Sequence, residues 1–297
     1  MKSTGLRVGV LLVLQILWAG ASYSQTSGTI SKEEVSRQSA IYQSRGEDVP
    51  KGYVVGRSLS SYLYVLPAGF TRVLANLGPS DRWLDIGAGE GRAILDYCTA
   101  KYDGTLLKGA ERPGKKAKAI AMSIEDRRTS QWHQTSASLE ANQIQYLFGK
   151  RLREYSPEEL GRFQVITDVM GGFSYAQDLS LFMQKTLAFL EPNGAFYTVL
   201  QDVRTENGTN KPYYENAPFL TEIVRTDGTE VGMCSWLKSI SCVEVRCEAK
   251  PDWSPPLEVY RIRKVCNDVV VPALAPVHFE AGTPPERRFM LTAPTAK

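Results

Sequence analysis

The sequence predicts an α/β fold, a doubly wound and mostly parallel sheet with a C-terminal antiparallel hairpin. Between residues 82 and 203, short apolar runs alternate with helix-like segments, as expected for a parallel sheet covered by helices on both faces. Between residues 239 and 265 the pattern changes. SISCVEVRCE and LEVYRIRKV are alternating runs separated by a proline-rich segment, which is typical of an antiparallel hairpin.

The first half of the pattern begins with helices and then alternates. Apolar residues recur every three or four positions between 52 and 78, which predicts helices interrupted at Pro67. RWLDIG is a buried-strand run, and the segment after it reads as a helix that ends at Gly104. A strand over 117–125, a helix that includes 138–142 and a strand over 143–149 follow.

The second half repeats this order. Ser156 and Pro157 have the residue types of a helix cap and a first helical position, so a short helix is expected there. An apolar strand over 163–170, a helix over 178–190, the turn EPNG with Gly194 ending the helix, and a strand over 195–203 complete the alternation. RRFMLTA, after the hairpin, predicts one last edge strand.

Composition limits the class of protein. The 297 residues are 43% hydrophobic and 23% charged, with a net charge of +3, which is ordinary for a globular protein with a proper core. The charge is too small to indicate a nucleic-acid partner. We find no repeat or linker, so one domain over 51–297 is the simplest organisation.

The N-terminus has the pattern of a secretory signal peptide. Lys2 and Arg7 precede the short apolar run VGVLLVLQILWAG, and small residues follow it. This predicts a signal peptide over 1–24, a flexible segment over 25–50, and an exported protein, periplasmic or secreted, without a membrane span in its mature form. A buried N-terminal helix in a cytoplasmic protein and an uncleaved anchor are the alternatives.

The five cysteines suit an oxidising compartment. The chain has no C-x-x-C pair and only two histidines, so no metal site is predicted. Cys242 and Cys247 flank one strand, which separates them by roughly 16 Å and excludes a bridge between them. A bridge from Cys242 would therefore go to Cys234 or Cys266.

The most informative stretch is the glycine-rich turn after the first strand. Asp85, Gly87, Gly89 and Gly91 form the pattern D-x-G-x-G-x-G. Glycines allow positive φ and lack the Cβ atoms that would block a ligand, and a strand–turn–helix unit can hold a ligand against its backbone. A dinucleotide fingerprint would need a third glycine at position 92, which is Arg92.

LDIGAGEGR, residues 84–92, resembles the first motif of the class I S-adenosylmethionine-dependent methyltransferases, a family with a Rossmann-like fold. The resemblance extends over about residues 59–203. It implies S-adenosyl-L-methionine as the cofactor. The residues implied to hold its methionine end are Asp85, Gly87, Ala88, Gly89 and Gly91.

The resemblance also implies residues for the rest of the cofactor. An acid at the end of the second strand would take the ribose hydroxyls; Glu125 is the first choice, with Ser123 and Glu111 as alternatives. The third strand lacks an acid at its end, so adenine recognition would depend on the backbone around Phe148 and Gly149.

The end of the fourth strand is where the resemblance places the meeting of cofactor and acceptor. Asp168 is predicted to contact the cofactor and to act as a catalytic base, with Tyr175 as a second candidate; Asp202 and Tyr213 are further options. A nitrogen or hydroxyl acceptor can need such a base, whereas the sulfonium is already a good leaving group. The alternative for Asp168 is a cap on the following helix.

Three functions remain open at this stage. The first is a methyltransferase acting on an unidentified small-molecule or protein acceptor. The second is an exported binding or interaction protein that keeps the fold without catalysis. The third is an aminopropyl-type transferase. An exported location conflicts with a cofactor that is made inside cells, which is why the second function is kept.

Overall fold

The computed structural model describes residues 56–99, 117–201, 220–250, 257–280 and 286–292. The predicted signal peptide, the segment over 25–50, Glu111, Asp202 and Tyr213 lie outside these residues. The strands are β1 (Arg82–Ile86), β2 (Lys118–Met122), β3 (Ile144–Leu147), β4 (Phe163–Asp168), β5 (Leu190–Gln201), β6 (Leu220–Val224), β7 (Val243–Lys250), β8 (Leu257–Lys264), β9 (Leu274–Glu280) and β10 (Glu286–Leu291). The helices are α1 (Leu59–Val65), α2 (Gly69–Asn76), α3 (Arg92–Thr99), α4 (Ser130–Ala137), α5 (Pro157–Leu160), α6 (Gly172–Tyr175), α7 (Leu179–Ala188) and α8 (Met233–Lys238).

The main sheet has seven strands in the order β3-β2-β1-β4-β5-β8-β7. Strands β1 to β5 are parallel to one another, β8 pairs antiparallel with β5, and β7 pairs antiparallel with β8. The predicted α/β class and the C-terminal hairpin are both confirmed. The strand order reverses between β1 and β4, and in open α/β sheets a ligand crevice lies beyond the carboxyl ends of the strands at such a switch point.

Alternating side chains give the main sheet two different apolar faces. On β1, Leu84 and Ile86 pack into one cluster, whereas Trp83 packs into the other. We call the first side the α6 face, which also includes Ile166, Phe173, Phe196 and Tyr260. We call the second side the α1 face, which also includes Tyr62, Phe70, Val165, Tyr197 and Val259.

Local side-chain hydrogen bonds determine where helix α5 begins and where helix α4 ends. Ser156 and Glu159 form the expected reciprocal capping bonds around Pro157 at the start of α5. The predicted helix over 138–142 is wrong, because α4 ends at Ala137. The Ser138 hydroxyl donates to the carbonyl of Thr135 at 2.7 Å, and Asn142 has a φ of 64°, which is incompatible with a continuing helix.

The predicted EPNG turn lies within β5, as an irregularity. Pairing between β4 and β5 shifts register between Phe163 and Val165, and Asn193 has a φ of 67°. Gly194 does not end a helix, because α7 ends at Ala188. A side chain at Gly194 would lie 2.9 Å from the carbonyl oxygen of Phe163, so close backbone approach requires this glycine.

A second sheet, in the order β6-β10-β9, was not predicted. RRFMLTA does form a strand, β10, but β10 pairs parallel with β6 and antiparallel with β9, so the predicted position at a sheet edge is wrong. Ile223, Leu274 and Phe289 from this sheet pack into the same apolar cluster as the α6 face. Strand-like patterns identify a strand but not its partners, which are set by distant packing.

Two disulfides lie in the C-terminal region. Cys242 is bonded to Cys266, which resolves the alternatives left by the sequence, and Cys234 is bonded to Cys247. Cys98 is a free, buried thiol. None of the helices within the described residues has the length and apolar character needed to cross a bilayer.

Candidate functional site

The carboxyl ends of β1 and β4 lie side by side at the switch point, with Ile86 opposite Asp168. We call residues 87–91 the glycine turn. The N–H of Ala88 donates to the carbonyl of Met122 at 2.9 Å, and the N–H of Gly91 donates to that of Ala88 at 2.9 Å. These bonds fix the turn across the ends of β1 and β2, where a ligand of this fold would bind.

The protein itself fills the space beside two of the glycines. A Cβ at Gly87 would lie 2.7 Å from the Cα of Gly171, and one at Gly91 would collide with the Trp132 ring. All three glycines of the turn have positive φ. At positions 87 and 91, then, packing explains the missing side chains as well as a ligand would.

The turn still presents backbone donors. Among the described residues, nothing accepts a hydrogen bond from the N–H of Gly89 or of Glu90. Helix α3 begins just beyond them, and its N-terminus carries partial positive charge. Unpaired N–H groups at a helix start form a natural site for an anionic group. The Gly89 carbonyl accepts from the Tyr146 hydroxyl.

Asp85 is enclosed on the α1 face. Its side chain is 0% exposed. The Tyr62 hydroxyl lies 2.9 Å from one carboxylate oxygen, and the Thr167 hydroxyl donates to the other at 2.6 Å. Burial raises the pKa of Asp85 to about 7, although both hydroxyl contacts oppose the shift. A contact between Asp85 and a cofactor remains a prediction. In the structure, both oxygens of the Asp85 carboxylate are hydrogen-bonded to hydroxyl groups of the protein.

Arg57, which no sequence motif identified as a site residue, lies beside the same strand ends. Its guanidinium donates to the carbonyl of Val169 at 3.4 Å and contacts the sulfur of Met170 at 3.3 Å. Burial lowers its pKa, whereas the nearby Asp85 and Asp168 raise it. A single arginine before the first helix carries no sequence motif, so only the fold reveals this position.

Asp168 caps the helix that follows it, as the alternative interpretation proposed. Its two oxygens accept from the N–H of Gly171 at 2.8 Å and of Phe173 at 3.0 Å. Burial raises its pKa to about 7, against these backbone bonds. Tyr175 lies on the same single-turn helix, and burial raises the pKa of its phenol. The catalytic roles of both residues remain predictions.

The ends of β2 and β3 carry the other predicted cofactor residues. Glu125 lies three residues beyond β2 and forms an ion pair with Arg127 at 2.6 Å. The N–H of Gly149 already donates to the carbonyl of Ile124 at 3.0 Å, so that donor is not free for adenine. Phe148 is 45% exposed, which makes its ring the accessible group here.

Aromatic side chains line this end of the sheet. The ring centroids of Trp132 and Tyr146 are 5.1 Å apart, and those of Tyr146 and Phe148 are 6.4 Å apart. The Arg128 guanidinium lies 5.1 Å from the Phe148 ring centroid. Trp132 and Tyr146 are buried, whereas the Phe148 ring is exposed and suits stacking by a flat heterocycle. No group of three possible metal ligands occurs in the described part of the chain.

Comparisons with known proteins give distant structural similarities. No protein-family model and no curated protein matches the chain. Burkholderia thailandensis 1,6-didemethyltoxoflavin-N1-methyltransferase, solved with S-adenosylhomocysteine, is 16% identical over 80% of this chain and 92% of its own, with a TM-score of 0.44. An O-methyltransferase family protein from the same species is 10% identical over 71% and 58%, with a TM-score of 0.42. A possible exported protein from Bordetella parapertussis is 12% identical over 67% of each chain, with a TM-score of 0.44.

The chain spans less than two thirds of that O-methyltransferase family protein. In the present chain, the fold brings together the glycine turn, Asp85 and Asp168 at the adjacent ends of β1 and β4. Glu125 and Phe148 lie beyond the ends of β2 and β3. Tyr175 lies on α6, the single-turn helix that Asp168 caps.

Proposed function

We propose that this protein is an S-adenosyl-L-methionine-dependent methyltransferase acting on a small-molecule or protein acceptor. The observation that carries the proposal is the glycine turn at the β1–β4 switch point, where the N–H groups of Gly89 and Glu90 have no acceptor among the described residues. The turn couples a strand-end acid to a helix start, at the position where this class of sheet holds a nucleotide ligand.

The described residues suit the parts of this cofactor. The N–H groups of Gly89 and Glu90 would hold its carboxylate, with Arg57 adding positive charge nearby. Glu125 would accept from the ribose hydroxyls, and the exposed Phe148 ring would stack on adenine. When bound, the cofactor supplies an electrophilic methyl group on a sulfonium, which is a good leaving group.

The chain's own contribution is alignment, exclusion of water and proton transfer. With a pKa of about 7, Asp168 exists in both protonation states near neutral pH. Such a carboxyl group is suited to take a proton from a nitrogen or hydroxyl acceptor. Its bonds to the start of α6 would have to loosen for this to happen.

We further propose that the protein is exported. The leader-like N-terminus and the two disulfides support this together, because reducing compartments keep such thiols reduced. The second candidate, an exported binding protein without turnover, is favoured by the enclosure of Asp85 and by the packed flanks of Gly87 and Gly91.

Calorimetric titration with S-adenosylhomocysteine tests the proposal. Gly89→Val should abolish binding, because it crowds the free N–H groups at a φ of 56°. Gly228→Val is the matched control, since Gly228 also has positive φ but lies in an open turn between β6 and α8. Saturable binding by the native protein and the control alone supports a cofactor site. Equal heats from all three folded proteins would exclude it.

A further inference from the structure

Arg287, on β10, is a fully buried cation with an unused donor. Its side chain is 0% exposed. Nε donates to the hydroxyl of Thr221 at 2.8 Å, and Nη1 donates to the carbonyl of Ala176 at 3.0 Å. Within the described residues, Nη2 has no hydrogen-bond partner. Buried polar groups are normally satisfied, so this nitrogen is a donor available to a bound acceptor.

The charge of Arg287 is also incompletely matched. In the part of the chain that the structure describes, no carboxylate lies within ion-pair distance of it. Asp168 is near enough to act on it electrostatically, but both oxygens of Asp168 accept from the backbone of α6. Glu258 is bonded to the Tyr260 hydroxyl. A buried charge is usually paired directly with an opposite one.

A second unsatisfied group lies nearby. The hydroxyl of Thr198 is buried and has no partner among the described residues. Thr198 is opposite Asp168 on β4 and opposite Tyr260 on β8. Asp168 and Tyr260 are two of the residues that interact electrostatically with Arg287. Thr198 and Arg287 therefore share two neighbours on the α6 face, Asp168 and Tyr260.

Helix α6 covers this region and connects it to the crevice. Phe173 packs on Phe196 and Tyr260, with ring centroids 6.3 Å and 6.1 Å away, and Ala176 at the end of the helix binds Arg287. The helix has only four residues and starts at Gly172, beside the switch point. Thr198 is one strand away from Asp168, so the region adjoins the proposed methyl-transfer site.

We propose that Arg287 Nη2 and Thr198 Oγ1 form a subsite for a carboxylate group of the methyl acceptor. This inference rests on the proposed function. A carboxylate accepts from both donors and neutralises the guanidinium, whereas a water molecule could satisfy the hydrogen bonds but not the charge. The subsite would select acidic acceptors and place them beside the crevice.

The test uses acetate as the carboxylate probe and acetamide as its neutral analogue. Binding to the full chain is followed by calorimetry and by thermal unfolding at constant ionic strength. Acetate should bind saturably and raise the melting temperature, and acetamide should not. Thr198→Val removes the hydroxyl at nearly constant volume and should weaken acetate binding about tenfold, the loss expected for one hydrogen bond to a charged group.

The matched control is Thr186→Val. Thr186 is equally buried, but its hydroxyl donates to the carbonyl of Phe182 at 2.8 Å, within α7. This control should keep native acetate affinity. Equal responses to acetate and acetamide, or unchanged acetate affinity in Thr198→Val, would overturn the subsite. Thr198→Val leaves Arg287 in place, so the test does not depend on a variant that loses a buried cation.

The S-adenosylhomocysteine titration separates the two proposals. Cofactor binding without the specific acetate response removes the carboxylate subsite and leaves the methyltransferase assignment intact. Acetate binding that Thr198→Val weakens, in a protein that binds no S-adenosylhomocysteine, removes the methyltransferase and retains a carboxylate site. Acetate binding that Thr198→Val weakens while S-adenosylhomocysteine affinity stays native supports both.

Discussion

Asp85 shows how one side chain can belong both to a motif and to the core. The acid of the D-x-G-x-G-x-G pattern is completely buried, and Tyr62 and Thr167 occupy its oxygens. The sequence identified the position, but not this enclosure. Tyr62 precedes it by 23 residues and Thr167 follows it by 82. No local pattern encodes pairings over such distances.

The raised pKa of Asp85 predicts a pH dependence of stability. Between the ordinary value of 3.8 and about 7, the folded protein retains a proton that the unfolded chain has lost. The free energy of unfolding therefore falls as pH rises through this window, by up to about 1.4 kcal/mol per pH unit for each such group. Asp168 contributes in the same direction. In Asp85→Asn, the contribution of Asp85 is absent and the slope should be shallower, as measured by urea unfolding across this range.

Asp227→Asn is the control for that measurement. Asp227 is exposed, and hydrogen bonds from Thr229 lower its pKa, so removing it should leave the decline between 3.8 and 7 unchanged. A native-like slope in Asp85→Asn would show that the carboxyl group is not held protonated by burial.

The glycine turn is a structural element whose position is evident from the sequence but whose packing partners are not. Its position after β1 and its positive φ angles follow from the sequence pattern. The contact between Gly87 and Gly171, however, joins the turn to the loop after β4. In the sequence, Gly171 is one of two adjacent glycines after β4, and no local pattern indicates that its backbone would touch that of Gly87.

Gly87→Ala should destabilise the protein more than Gly149→Ala. Both glycines have positive φ, 69° and 80°, so both substitutions introduce backbone strain. Only the Cβ at position 87 would meet another backbone, at 2.7 Å, whereas nothing lies within 4 Å of a Cβ at position 149. We expect an additional loss of about 1–3 kcal/mol for Gly87→Ala. Chemical denaturation of the two variants measures the difference, and equal losses would contradict the packing explanation.

At the scale of the whole molecule, the C-terminal third contributes strands to both sheets and contains both disulfides. The Cys234–Cys247 bridge joins α8 to β7, and the Cys242–Cys266 bridge joins the segments that flank the hairpin. The second sheet packs on the α6 face and brings Arg287 to it. The proposed subsite for the methyl acceptor is therefore formed by residues that lie far in sequence from the D-x-G-x-G-x-G pattern.

Removing the Cys242–Cys266 bridge should cost about 3 kcal/mol, because it closes a 24-residue separation in the unfolded chain. The variant Cys242→Ser/Cys266→Ser should unfold at lower urea concentration than the native protein. Reductant should shift the native protein further than this variant, which retains one bridge. If oxidised and reduced native protein unfold together, the bridges do not contribute to stability.

The sequence alone was sufficient for the α/β class, the alternating strands and helices, the hairpin and the position of the glycine turn. These features arise from periodicity, caps and glycine conformations, which act over a few neighbouring residues. Long-range packing was needed to define the enclosure of Asp85, the partner of Cys242, the second sheet, and the positions of Arg57 and Arg287. Those features depend on contacts between residues far apart in the chain, and such contacts form only when the strands are arranged in the folded sheets.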